Sequence, residues 1–162
     1  MFIIPKNKDI QIHAHGGGHL LGWDDKQYRK LYDDLIRNKI LYHGGKSSGK
    51  TRMVKHLNGC QIFLYPVAKH IQETFCLVVL EAMAAGCVVI SNNSGNLKDL
   101  VGDAGYVISG NTDDYKWQIE ATEKAMSLFK DYTLMLELSK KAREVAKKYT
   151  WERTVDKLEA LI

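Results

Sequence analysis

The first two thirds of the chain alternate short apolar runs with amphipathic stretches, and each pattern predicts an element. Strands are predicted over Ile10–His15, Lys39–His43, Cys60–Tyr65, Cys87–Ile90 and Gly105–Ile108. Helices are predicted from Asp24 or Asp25 through Ile36, over Lys50–Asn58 with Met53, Val54 and Leu57 inward, over Leu77–Ala85 and over Leu97–Val101. Strands that alternate with helices are typical of a parallel sheet covered on both faces. The predicted fold class is therefore a Rossmann-like α/β domain.

The pattern becomes purely helical from Asp113 onward. One helix face is predicted to contain Trp117, Ala121, Ala125 and Leu128, and the next face Leu138, Ala142, Val145 and Tyr149. A last helix is predicted from Thr150 or Trp151 to Ile162. We accordingly divide the chain into a lead-in of residues 1–9, a Rossmann-like domain of residues 10–150 and a terminal helix of residues 151–162.

The stretch from Glu73 to Gly86 carries the strongest functional signal. Every residue of Leu77–Ala85 except Glu81 is apolar, which predicts a helix that is buried on all sides. A glutamate in such a helix needs a hydrogen-bond partner or a cleft, because a buried carboxylate is costly. Glu73 lies just before the helix, whose first N–H groups attract anions. A phosphate flanked by hydroxyl groups, as in a nucleoside diphosphate sugar, would suit this arrangement.

This stretch resembles the signature of retaining GT-B glycosyltransferases of the family 4 type, also called glycosyl transferases group 1. The resemblance rests on a glutamate, seven residues and a second glutamate followed by Ala-Met-Ala-Ala-Gly, and on Lys148–Trp151 before the last helix. It extends from Ile10 to Ile162 and corresponds to the C-terminal, donor-binding domain of that family. It implies that Glu73 contacts the donor sugar and is the catalytic position, and that Glu81 binds the ribose. It also implies a diphosphate site at Thr74, Phe75, Cys76 and Leu77, and a base site near Leu41, Tyr42, His43 and Gly44.

The resemblance further implies an N-terminal acceptor domain, for which 162 residues leave no room. We therefore expect the chain to be a donor-binding half that is inactive alone. The apolar side of its terminal helix should be exposed or paired with a second copy. Family members commonly have glycine where Cys76 stands, so the thiol is expected close to the path of the donor.

Composition and charge bear on the kind of partner and on the location of the protein. The net charge of +4 comes from basic residues that are scattered among acidic ones, which does not indicate a nucleic-acid partner. Three irregularly spaced cysteines in apolar runs indicate reduced thiols. No apolar run approaches the ~20 residues of a membrane span. These features predict a cytoplasmic protein that is at most peripheral to a membrane.

Two other motifs suggest different chemistry. Residues 44–51 fit the Walker A pattern, so a P-loop ATP- or GTP-binding protein is an alternative, as is a non-catalytic nucleotide-sugar-binding module. No apolar strand is followed by the aspartate that a P-loop protein uses to hold Mg²⁺. His13, His15 and His19 lack a suitably spaced fourth metal ligand, and no Asp-x-Asp occurs. We therefore predict no metal site and no cofactor besides the donor substrate.

Overall fold

The structure, a computed structural model, describes residues 13–16, 41–44 and 49–161. The chain divides into two compact units, one of residues 3–51 and one built mainly of residues 52–162. In the first unit, β1 (His13–Gly16) and β2 (Leu41–Gly44) pair in parallel. The predicted helix after Asp24 or Asp25, the lead-in and His19 lie outside the described residues.

The second unit is a parallel three-stranded sheet with helices. Its strands are β3 (Ile62–Tyr65), β4 (Val88–Asn92) and β5 (Tyr106–Ile108), in the order β3-β4-β5. Helix α1 (Gly49–Asn58) begins in the last residues of the first unit and continues into the second. The helices that follow are α2 (Leu77–Ala85), α3 (Leu97–Val101), α4 (Tyr115–Lys130), α5 (Tyr132–Ala146) and α6 (Trp151–Glu159), with a 3₁₀ turn at Lys147–Tyr149. The prediction of a Rossmann-like α/β fold with a helical C-terminal end is confirmed.

The central strand β4 organises the core, because all five of its residues are buried. Successive side chains of a strand point to opposite faces of the sheet. Val89 accordingly packs with residues of α2 and α3, whereas Val88 and Ile90 pack with residues of α4. Helices therefore cover both faces of this sheet. Helix α5 contributes to the clusters on both faces.

The predicted elements need correction at several places. Strand β4 continues through Ser91 and Asn92, although the predicted strand ends at Ile90. Of the three residues predicted to face inward on α1, Leu57 is buried, whereas Met53 and Val54 are exposed. Tyr149 lies beyond the end of α5 and is also exposed.

The buried side chain of Asn92 fixes the loop that follows β3. Its Oδ1 accepts a hydrogen bond from the N–H of Val67 at 2.8 Å, and its Nδ2 donates to the carbonyl of Val67 at 3.1 Å. Thr112 Oγ1 donates to the same carbonyl at 3.2 Å. Both backbone groups of Val67 are thus satisfied by side chains, as burial requires.

Two serines extend this attachment along the loop. Ser91 Oγ donates to the carbonyl of Tyr65 at 2.6 Å, and Ser94 Oγ donates to the carbonyl of Ile71 at 3.1 Å. Both serines are buried. The carboxyl end of β4 therefore holds the loop between β3 and α2 from its beginning to its end.

The C-terminal end of α2 is closed by groups from α5. Gly86 ends the helix in the left-handed conformation with φ 91°, and Ser139 Oγ donates to its carbonyl at 2.7 Å. Arg143 Nη2 donates to the carbonyl of Ala85 at 2.9 Å. A cation at this end also interacts favourably with the helix dipole.

Two leucines of α5 provide a matched test of the core. We expect Leu138→Ala to lower the free energy of unfolding by about 2 to 5 kcal/mol, because Leu138 is buried among residues of α4 and β4. Leu136→Ala should cost less than about 1 kcal/mol, since Leu136 is 44% exposed on the same helix. Urea denaturation of both variants measures the difference. Equal losses would contradict the described packing of α5.

Asn92 and its neighbour test the attachment of the loop. Asn92→Ala leaves the N–H of Val67 without its acceptor, so we expect the free energy of unfolding to fall by about 2 to 4 kcal/mol. Asn93→Ala is the control, because the side chain of Asn93 is exposed, and its effect should stay below about 0.5 kcal/mol. Thermal unfolding monitored by circular dichroism compares the two. A loss in Asn92→Ala no larger than that of the control would show that the amide does not hold the loop.

Candidate functional site

Glu73 lies at the end of the loop before α2, and its backbone is fixed on both sides. Its N–H donates to Ser94 Oγ at 3.3 Å, and its carbonyl accepts from the N–H of Asn96 at 3.1 Å. Gly95 makes this close approach possible. Its φ is +53°, and an added Cβ would collide with the carbonyl oxygen of Glu73. The turn after β4 thus determines where Glu73 stands.

The Glu73 side chain is also held. Tyr65, the last residue of β3, donates a hydrogen bond from Oη to Glu73 Oε1 at 2.7 Å. Both side chains are half-buried. The sequence pattern presents Tyr65 only as the end of an apolar strand, and a hydroxyl placed just before Pro66 is the one signal that could have drawn attention to it.

The N-terminal end of α2 is open. Cys76 occupies the N-cap position without a side-chain capping bond, and Thr74, Phe75 and Leu77 are exposed. Among the described residues, the backbone N–H groups of residues 74–78 meet no hydrogen-bond acceptor. Such groups, together with the positive end of the helix dipole, form a site for an anion.

Glu81 lies on the exposed face of α2, one turn after Leu77. Leu77 is 62% exposed, Ala84 is exposed on the same face, and Glu81 itself is half-buried. Among Thr51 and residues 53–161, no donor or cation meets the Glu81 carboxylate. The prediction that α2 is buried on all sides is therefore wrong. Only the face with Val79, Ala82 and Met83 is buried, and the carboxylate avoids the cost of burial by lying on the other face.

The side chain of Cys76 is buried, and its expected place close to the path of the donor stays a prediction. The residue is 4% exposed and packs in the core with Val67, Val79 and Met83. Burial raises the pKa of its thiol, so the group is neutral at physiological pH. The thiol is therefore part of the support below Glu73 and not of the exposed surface.

An aromatic pair joins the site to the end of the chain. The ring of Phe75 lies 5.7 Å from that of Tyr149, measured between centroids, and both residues are partly exposed. Thr150 then caps α6 by accepting a hydrogen bond from the N–H of Arg153 at 3.4 Å. The exposed residues of α6 and its end include Trp151, Val155, Leu158 and Leu161, as expected for this helix in the chain alone. Ile162 lies outside the described residues.

The remaining predicted site residues belong to the first unit. Leu41, Tyr42, His43 and Gly44 form β2 of the first unit, so a base site there stays a prediction. In the described part of the chain, no three His, Cys, Asp or Glu side chains cluster as ligands of a metal ion would. None of the helices described is both long and apolar enough to cross a membrane.

Several solved structures share the fold of this chain. The GtfA/B complex matches with a TM-score of 0.73 and 20% identity over 94% of this chain and 29% of that one. Sucrose-phosphate synthase from Thermosynechococcus elongatus matches with a TM-score of 0.68 and 19% identity over 93% of this chain and 37% of that one. The pneumococcal O-GlcNAc transferase GtfA, in complex with UDP and GlcNAc, matches with a TM-score of 0.54 and 16% identity over 91% of this chain and 29% of that one. The chain thus spans about a third of the length of these structures.

No curated protein matches the chain by sequence. The family of glycosyl transferases group 1 does match, over residues 3–149. This range includes both glutamates, the open end of α2 and the turn that fixes Glu73. The chain therefore belongs to the family of glycosyl transferases group 1.

Proposed function

We propose that the chain is the donor-binding half of a retaining glycosyltransferase, which moves a sugar from a nucleoside diphosphate sugar to an acceptor. The observation that carries the proposal is the open N-terminal end of α2 with a glutamate on each side of it. Glu73 stands before the helix, fixed by the turn after β4, and Glu81 lies on the exposed face. Membership of a glycosyltransferase family supports the same conclusion.

In this proposal the diphosphate binds at the open helix end. The N–H groups of residues 74–78 donate to phosphate oxygens, which replaces the water that they otherwise require. An anion at a helix N-terminus gains typically ~0.3 to 1 kcal/mol from the helix dipole. The same groups stabilise the negative charge that develops on the diphosphate as its bond to the sugar breaks.

The two carboxylates recognise the groups on either side of the diphosphate. Glu73 accepts a hydrogen bond from a hydroxyl of the donor sugar, and Glu81 accepts from the hydroxyls of the ribose. Ionised carboxylates form stronger hydrogen bonds with hydroxyl donors than neutral acceptors do. The base lies near Leu41–Gly44, and no metal or other cofactor is required.

A second, N-terminal domain supplies the acceptor and closes the cleft in the full enzyme. The exposed apolar residues of α6 suit a surface of that domain, and residues 10–150 form the donor domain. Without the N-terminal domain, a second copy of the chain could cover this surface. The enzyme acts in the cytoplasm, at most peripherally at a membrane.

The P-loop alternative receives less support. A P-loop protein needs an aspartate after an apolar strand to hold Mg²⁺. In the described second unit, β3 is followed by Pro66, β4 by Asn93 and β5 by Ser109. Helix α1, which would follow the phosphate loop, ends at Asn58 after ten residues.

Binding measurements test the ribose assignment. We expect UDP, GDP or ADP and the matching nucleotide sugar to bind the chain weakly, and Glu81→Ala to weaken both about tenfold or more through loss of charged hydrogen bonds. Isothermal titration calorimetry or ligand-observed NMR measures this. Glu123→Ala on the exposed part of α4 and Lys50→Ala should both bind like the unaltered chain. Unchanged binding in Glu81→Ala contradicts the assignment, and Mg²⁺-dependent hydrolysis that is lost in Lys50→Ala would favour the P-loop alternative.

Transfer assays test the need for a second domain. Transfer of the sugar to an acceptor instead of to water requires an acceptor hydroxyl delivered into a closed site that excludes water. We therefore expect no sugar transfer by residues 1–162 alone, assayed with radiolabelled nucleotide sugars and mixed acceptors. Addition of a separately expressed N-terminal half should restore transfer. Transfer by the lone chain would overturn the assignment as a half-enzyme, whereas binding without transfer in the reconstituted enzyme would favour a non-catalytic module.

A further inference from the structure

Tyr65 contacts the Glu73 carboxylate directly, and the Cys76 side chain lies beside both groups. Tyr65 Oη donates to Oε1 at 2.7 Å, which is a typical length for a strong O–H···O bond. The ring is fixed in turn, because it stacks on Phe63 with 5.8 Å between ring centroids and 14° between their planes. A rigid donor therefore approaches Glu73 from the strand side.

The hydrogen bond from Tyr65 restricts the orientation of the Glu73 side chain. The backbone of Glu73 is already held by Ser94 and Asn96, so the remaining motion is rotation of the side chain. A carboxylate accepts several hydrogen bonds, and Tyr65 occupies only one of these positions. The rest stay available to a ligand in a fixed orientation. Binding to a side chain that is already ordered costs less entropy than binding to a mobile one.

Tyr65 also keeps its proton. Burial, and secondly the hydrogen bond to Glu73, raise the pKa of the Tyr65 hydroxyl well above its usual range. The hydroxyl thus remains a donor over the whole pH range in which the protein is handled. Glu73 Oε1 therefore does not lose the hydrogen bond from Tyr65 through ionisation of the tyrosine.

We propose that Tyr65 is a positioning residue, which through its hydroxyl orients the Glu73 carboxylate toward a hydroxyl of the donor sugar. This inference rests on the proposed function, in which Glu73 meets the sugar. Tyr65 itself does not touch the substrate. Its contribution is consequently confined to ligands that carry the sugar, and it acts only while Glu73 is present.

Tyr65→Phe removes the hydroxyl and retains the ring. The ligands are UDP-glucose, GDP-mannose and ADP-glucose, each measured beside its free nucleoside diphosphate by ligand-observed NMR on the full chain. We expect the nucleotide sugar that binds to lose roughly three- to tenfold in affinity, the equivalent of one hydrogen bond, while its diphosphate binds unchanged. Tyr106→Phe is the control, because Tyr106 is a half-buried strand tyrosine whose hydroxyl donates no hydrogen bond within the described residues.

A double-mutant cycle with Glu73→Ala separates positioning from a general structural role. In the Glu73→Ala background, Tyr65→Phe should cause no further loss of affinity for the nucleotide sugar. A loss that persists there, or one that affects the diphosphate equally, would show that Tyr65 only supports the fold. If both ligands bind and Tyr65→Phe changes neither, the positioning role alone fails. If the unaltered chain binds neither the diphosphates nor their sugars, the proposed function fails and the positioning role with it.

Discussion

The pair of hydrogen bonds between Asn92 and Val67 is the constraint on which the candidate site depends. Asn92 extends the central strand beyond the end of β3, and its buried amide replaces a strand partner for the N–H and carbonyl of Val67. Without it, the N–H of Val67 would be buried and unsatisfied, which costs more than an ordinary hydrogen bond contributes, and the carbonyl would keep only the bond from Thr112 Oγ1. Ser91 and Ser94 repeat the arrangement on either side, so Glu73 inherits its position from the most buried strand of the domain.

This dependence explains why the site could be only partly predicted from the sequence. Glu73, the start of α2 and Glu81 follow one another in one continuous stretch, so the spacing of the two glutamates is visible in the sequence. The contacts that fix the backbone of Glu73 come from residues 21 to 23 positions away, in a stretch whose polar residues suggest a turn. Polar side chains directly after a buried parallel strand lie at the carboxyl edge of the sheet, where α/β proteins bind ligands. That rule indicates the region but not the partner of each side chain.

Periodicity was most informative where a helix packs on one side only. The buried residues Trp117, Ala121 and Leu128 of α4 have helical spacing and were predicted together. Composition misled where nearly every residue is apolar, as in α2, because no polar face marks the side that is left open. Leu77 is exposed there, although it cannot be distinguished from buried Val79 by polarity alone. The prediction that Met53 and Val54 of α1 face inward is wrong for the same reason, since an apolar residue does not itself specify its environment.

The two ends of α2 differ in a way that bears on function. At the C-terminal end, glycine, a serine hydroxyl and a guanidinium group satisfy or cover the last carbonyls. At the N-terminal end, the N-cap position holds a cysteine whose side chain turns into the core, and no capping bond forms. A serine, threonine or aspartate at that position would typically add about 1 kcal/mol to stability. The N-terminal end of α2, which stands between Glu73 and Glu81, lacks this contribution, and in the proposed function the diphosphate takes the place of the cap.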